Sequence, residues 1–344
     1  MVNGGLRLAV RVPVGGDGYL WKNLAWETEY EQHREGPVLF ERPDRVFDSY
    51  APEEKPIALY RLLADTDPTD DGVLRFANRF GRLKGDRAET FDIGDLPGGA
   101  ASSTRFVQGE PLEEWVRVIE EMHEAVALWD MARSKNHRGL SEALAWREGC
   151  VFYLGTARYR KWRDADPMAM LEKFKDQKEA RRLWEDMTQQ RLKLDSEGLN
   201  RGYIRKGDLI RPAVLRVLRV IETPLHELNG PVLYEQDDDK IMWQDLPDNL
   251  EGFMWLQFAQ AIYHRKEPRR CRECGLWFEV AGGASRTDRE TCSDSCRMRG
   301  YRQRQARAVE MQAKGKTVKQ IARELSSDED TVRGWIKASR SKGE

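Results

Sequence analysis

Apolar residues recur at helical spacing through much of the chain. In "EEWVRVIEEMHEAVALWDMA", Leu112, Trp115, Ile119, Met122, Val126 and Trp129 alternate steps of three and four, which predicts one stripe on a helix of about five turns. Such a stripe reads as core. Further helical patterns are expected around 141–162, 167–192 and 208–227, the last apolar on more than one face and therefore central. "NLEGFMWLQFAQAIYHRK" predicts another amphipathic helix. The first fifty residues differ, with strand-like runs at "LRLAVRV" and "VLFERPDRVF" broken by glycine and proline, and "VLYEQDDDKIMWQ" reads as a hairpin around an Asp-rich turn. The Gly-, Ala- and Ser-rich stretch 93–104 is either a seam or a long loop.

These patterns predict a mainly α (α+β) protein. Residues 1–264 would form a mostly helical body with a few short strands, 265–302 a small cysteine module and 303–344 three short helices. At 344 residues the chain has room for two or three domains and a sizeable core without disulfides. No apolar run approaches the roughly 18–20 residues that span a bilayer, and the start lacks an apolar stretch with a cleavage site. The expectation is a cytoplasmic protein with no membrane partner.

A net charge of -1 conceals an asymmetry: residues 265–344 carry +8 and the preceding residues -9. A basic tail on an acidic body suggests a module facing a polyanion, although the two parts could also simply attract each other.

Within the tail, Cys271 and Cys274 form a CxxC, 17 residues intervene, and Cys292 and Cys296 form a CxxxC. Two close thiolate pairs suit tetrahedral zinc, with Gly275 allowing a tight knuckle and Ser293 placed to cap a helix that begins at the second pair. Knuckle, hairpin and helix together would make a treble clef holding one structural Zn2+. Four protein ligands close the coordination sphere, so catalysis at the metal is not expected, and no histidine lies between Cys271 and Cys296 to act as a base. A disulfide pair or redox switch is the alternative, disfavoured in a reducing cytosol. Cys150 stands alone and reads as a buried apolar residue. The five histidines, His33, His123, His137, His226 and His264, show no metal-ligand spacing, and "VGGDGYLW" lacks the Lys-Ser/Thr of a phosphate loop, so an enzyme is not expected.

Arg297, Arg299, Arg302, Arg304 and Arg307 follow the last cysteine and would cover much of a helix's circumference, as a phosphate-binding or simply a solvated helix does. Beyond them, Val309, Val318, Ile321, Ala322, Leu325, Val332, Trp335 and Ile336 fit helices near 303–313, 317–325 and 328–338, with Gly315 as a break and Asp328 as a cap. Ile321-Ala322, Leu325-Ser326, Thr331-Val332 and Trp335 resemble the homeodomain-like helix-turn-helix of bacterial resolvases, transposases and regulators. That resemblance implies a last helix entering a major groove, with Arg333, Lys337 and Arg340 as contacts and Lys319 and Arg323 on the preceding helix. Two departures stand out: Ser326 replaces the usual turn glycine, and Asp328, Glu329 and Asp330 open the third helix, where acids would repel phosphate. The C-terminal quarter also resembles, in layout, the CGNR zinc-finger regulators, and "GVLRFANRFGRL" at 72–83 is similar to an early helix of theirs. Of their signature the chain keeps only Cys296 and Arg299 in Cys296-Arg297-Met298-Arg299.

The sequence thus predicts a zinc-containing DNA-binding protein, a transcriptional regulator, whose residues 1–264 sense a small molecule or pair with a protein. A protein-interaction adaptor and an RNA-binding protein are the alternatives.

Overall fold

In the computed structural model, residues 8–27, 33–54, 56–92, 106–147, 150–155, 205, 207–235, 241–280 and 288–340 are described. The chain forms two compact units, one of Met1–Lys55 with Leu59–Gln260, the other of Pro56–Ala58 with Ala261–Glu344.

The first unit mixes sheet and helix. Strands β2 (Tyr19–Glu27), β3 (His33–Glu41), β5 (Glu89–Asp92) and β6 (Phe106–Pro111) form an antiparallel sheet in the order β2-β3-β6-β5. Strand β1 (Val10–Pro13) pairs separately with β4 (Phe47–Tyr50). Val38, Phe40 and Phe91 fill one face of the sheet, with the Phe40 and Phe91 rings edge-on at 5.8 Å. Gly109 lies opposite Phe40, and a Cβ there would come within 2.5 Å of that ring, so the strand needs glycine at this point. Two nine-residue strands make the sheet more than the few short strands expected from sequence. The signal for β2 is weak because "YLWKNLAWE" alternates imperfectly.

Helices α1 (Leu59–Ala64), α2 (Asp70–Phe80), α3 (Leu112–Arg133) and α4 (His137–Ala143) follow in order around that sheet. Thr69 caps α2 by accepting from Gly72 N, and Asp70 and Asp71 complement its dipole. The middle of the α3 stripe is as the spacing predicts, with Trp115, Ile119, Met122 and Val126 buried and Trp115 meeting Phe76 edge-on at 5.9 Å, but Leu112 and Trp129 are half-buried and Val118, Ala125 and Leu128 widen the buried face. Buried Arg61 of α1 reaches Asp130 of α3 with two hydrogen bonds of 2.8 and 2.7 Å, a fork that sets the pairing of the two helices.

The helix expected at 141–162 is corrected. Strands β7 (Leu144–Arg147) and β8 (Cys150–Tyr153) form a hairpin there, the short apolar run "LAWREGCVFY" being compatible with strand as well as helix. The expected helix at 167–192, the stretch 93–104 and the side chain of Cys150 lie outside the described residues. Helix α5 (Ile210–Glu227) buries Pro212, Ala213, Val217 and Ile221 along one side only, with Leu218 exposed, so it packs on one face and not several. Strands β9 (Asn229–Glu235) and β10 (Ile241–Pro247) make the expected hairpin. In α6 (Leu250–Tyr263), Trp255 and Phe258 are fully buried, and Phe258 stacks on Tyr60 at 4.9 Å.

Between α2 and β5, the loop after Gly81 is gripped from within. Glu110 of β6, 1% exposed, accepts hydrogen bonds from the backbone N–H groups of Leu83 (3.1 Å), Lys84 (2.7 Å) and Gly85 (3.2 Å).

In the second unit, β11 (Glu267–Arg270) pairs with β12 (Trp277–Val280), and Ala58 N donates to Trp277 O. Three helices follow: α7 (Asp294–Ala313), α8 (Val318–Glu324) and α9 (Glu329–Arg340). The helix expected to start near 303 begins nine residues earlier, so the 302–303 boundary drawn from sequence falls inside α7. Among the described residues, no helix is long and apolar enough to cross a membrane.

Candidate metal centre and its cationic helices

The β11–β12 hairpin brings the first cysteine pair to the start of the second. Gly275, at φ +72°, turns the chain between Cys274 and β12, and Gly275 N donates to Cys271 O while Cys271 N donates to Leu276 O. Ser293 caps α7, its Oγ accepting from Cys296 N at 3.2 Å, which fixes the first helical turn so that Cys292 and Cys296 share one side. Phe278 and Val280 pack beside the cysteines and, with Cys271, Cys292 and Cys296, form a small buried cluster.

All four Sγ atoms lie within 4.8 Å of one another. Cys274 and Cys292 are 3.6 Å apart at sulfur, and Cys292 and Cys296 3.5 Å. A disulfide requires about 2.05 Å, whereas sulfurs about 2.3 Å from a central ion in a tetrahedron stand about 3.8 Å from each other. The cluster therefore fits a single metal ion and not a pair of disulfides. Its protonation is uneven. Burial pushes the Cys292 thiol up to about 12. At Cys271 burial is outweighed by N–H donors from Cys292, Cys274 and Glu273, and the thiol falls to about 6. The four cysteines chosen from sequence are thus brought together, and they could hold a metal ion.

Helix α7 carries this cluster into a second core. Ala308 and Met311 pack with Ile321, Ala322, Leu325, Val332, Trp335 and Ile336, while Val318 flanks them. Val309 is only half-buried. Tyr301 meets the Trp335 ring edge-on at 5.6 Å. Thr317 and Gln320 form a reciprocal capping box on α8, and Asp328 caps α9 by accepting from Thr331 N at 2.7 Å. That hydrogen bonding, first from the Thr331 hydroxyl and then from its N–H, holds the Asp328 carboxyl below its ordinary value. Ser326, in the turn between α8 and α9, takes φ +50°, and Ser327 N donates to Ala322 O at 2.9 Å. The turn thus adopts the left-handed C-terminal cap that glycine usually serves.

The cationic residues fall into two groups. Arg297 pairs with Asp294 (3.3 Å), half-buried Arg304 approaches Glu273 (3.8 Å), and Arg333 binds both Glu329 (2.9 Å) and Asp330 (2.6 Å). Gly300 makes room for the Glu273 contact, since a Cβ there would stand 2.2 Å from Oε1. By contrast Arg299, Arg302, Lys319, Arg323 and Lys337 are exposed and, among the described residues, form no ion pair. Arg299 and Arg302 sit three residues apart on α7. The Arg340 side chain lies outside the described residues. The i,i+3 and i,i+4 acids beside Arg297 and Arg333 were visible in the sequence. No family model matches the chain, and no curated protein or solved structure does either.

Proposed function

We propose that the protein binds duplex DNA through its second unit, as a transcriptional regulator, with one structural zinc ion held by Cys271, Cys274, Cys292 and Cys296. The hairpin, knuckle and capped helix are what a treble clef consists of, and a zinc ion there would contribute on the order of 10 kcal/mol to a module with little core of its own. In this reading α8 and α9 are a helix-turn-helix. The observation that carries it is the set of exposed cations that form no ion pair among the described residues, Arg299, Arg302, Lys319, Arg323 and Lys337, on helices sharing one core. Five phosphate contacts of this kind give a log–log salt slope of about -4 to -5. Fluorescence anisotropy of the full chain on a labelled duplex across a salt series tests this. Arg299→Ala with Arg302→Ala should reduce the slope by about 2. Negligible binding at low salt ends the reading.

A second reading, docking to another protein, draws on the acidic opening of α9. There Glu329 and Asp330 hold Arg333, leaving the tip of the helix negative. Partner capture from lysate that survives nuclease treatment, together with no duplex binding by the pure chain, would favour it.

A further inference from the structure

A cavity of about 370 Å3 opens in the first unit beside α3 and α5, with β8 contributing Tyr153. Val220, Pro224 and Leu228 at the end of α5 and the Tyr153 ring supply partly exposed apolar lining, over Ala125, Leu128 and Val217 buried beneath. Its size falls within the range of small-molecule sites, about 300–1,000 Å3.

The polar lining is asymmetric in sign. Five carboxylates line the cavity against four cationic side chains. Two of the carboxylates, Glu124 and Glu251, are buried. Tyr153 donates its hydroxyl to Glu124, and Lys84 Nζ stands 3.0 Å from Glu251 Oε2. Arg216 spreads over the Tyr153 ring at 5.1 Å. Arg117 and Arg219 are half-exposed, and each is neutralised on its own helix, by Glu121 at 3.1 Å and Glu222 at 2.9 Å.

The backbone adds negative potential of its own. Thr223, Pro224 and Glu227, in the last turn of α5, all line the cavity. A helix C-terminus carries about half a negative charge in its unsatisfied carbonyls. Pro224 sits inside this helix and has no N–H to give the carbonyl of Val220, one turn earlier, which is another lining residue. The lining carboxylates and the end of α5, with the carbonyl that Pro224 frees, both favour positive charge. The apolar lining favours a carbon body: a bare metal ion would leave that surface against water.

We propose that this cavity binds a small organic cation, an ammonium or amidinium group on an apolar body. The charged end sits between Glu124 and the end of α5, and the body lies on Val220 and Leu228. None of these residues belongs to the second unit, so failure here and failure of DNA binding are separate results.

Isothermal titration of the full chain with cyclohexylamine, protonated at pH 7.5, tests the site against cyclohexanol and cyclohexanecarboxylate as neutral and anionic counterparts. The amine should bind at least tenfold more tightly than either. Glu124→Gln should weaken it about tenfold. Because that change also disturbs Tyr153, Val220→Phe, which fills the cavity from a half-buried position, should abolish binding while circular dichroism and melting stay unchanged. Equal binding of the three compounds, no binding of the amine at tens of millimolar, or amine affinity indifferent to Val220→Phe would each overturn the assignment.

Discussion

Glu110→Gln isolates the titration of one buried carboxyl. Burial is the largest influence on Glu110 and raises it from 4.5 to about 7, against the Arg82 guanidinium and the N–H groups of Lys84, Leu83 and Gly85, which pull it down. A raised folded value means that the native state binds this proton more tightly than the unfolded chain. Its contribution to stability is therefore complete below about pH 4.5 and is lost as the pH climbs through about 7. At about 1.4 kcal/mol for each pH unit, going from pH 5.0 to 7.5 removes about 2–3 kcal/mol. That corresponds to a fall of roughly 5–10 °C in melting temperature for a unit of this size. Glutamine does not titrate but keeps one acceptor oxygen for the loop, so its own cost of about 1–2 kcal/mol is the same at both pH values. Scanning calorimetry of both proteins at the two pH values reads the difference directly: the wild type should lose more than the variant on going to pH 7.5. Should the wild type instead gain relative to the variant, three N–H donors and Arg82 outweigh burial, and Glu110 is a permanently ionised anchor.

Two further outcomes concern the second unit. Metal analysis of protein purified without added metal should find one zinc ion per chain, and Cys292→Ser should lose it together with hydrogen-exchange protection across 267–280 and 288–300; retained protection would refute a folding role for the metal. Ser326→Gly relieves a left-handed residue that costs roughly 1 kcal/mol and loosens the unfolded chain by somewhat less, so denaturation should show a net gain of about 0.5 kcal/mol. Ser326→Val should lose about 1 kcal/mol or more at the same position, and a gain there would show that φ +50° carries no strain.

Legibility followed the range of the interactions. The α3 stripe, the Cys271–Cys296 spacing and the caps by Ser293 and Asp328 are set within a few residues of the chain, and each could be read from it. The β7–β8 hairpin could not, because an apolar run of that length fits helix and strand equally until tertiary packing decides. Arg304 looked like a surface cation because its partner Glu273 lies 31 residues away on the knuckle. The cavity beside α5 was invisible for the same reason: α3, β8 and α5 contribute to it from distant stretches of sequence, and only Pro224 left a local mark.

Helix α7 changes what the cysteines mean. Cys296 in its first turn belongs to the sulfur cluster, and Met311 in its last belongs to the core shared with α8 and α9. At 1.5 Å per residue the two lie about 22 Å apart along one uninterrupted helix. This 20-residue helix has a mostly polar surface and is held by the sulfur cluster at one end and the second core at the other, with Tyr301 against Trp335 between them. Removing the metal would release Ser293, Cys296 and the Glu273–Arg304 contact at one end, so the helix would fray from the cysteines toward Arg299 and Arg302. The core around Trp335 has eight buried residues of its own and would hold the other end. If the second unit binds duplex DNA as proposed, metal loss should therefore cost the phosphate contacts of α7 before it unfolds α8 and α9. A chelated protein that retains Lys319, Arg323 and Lys337 as contacts, with a salt slope reduced by about 2, follows from this geometry. A slope unchanged by chelation would mean that α7 does not touch the nucleic acid.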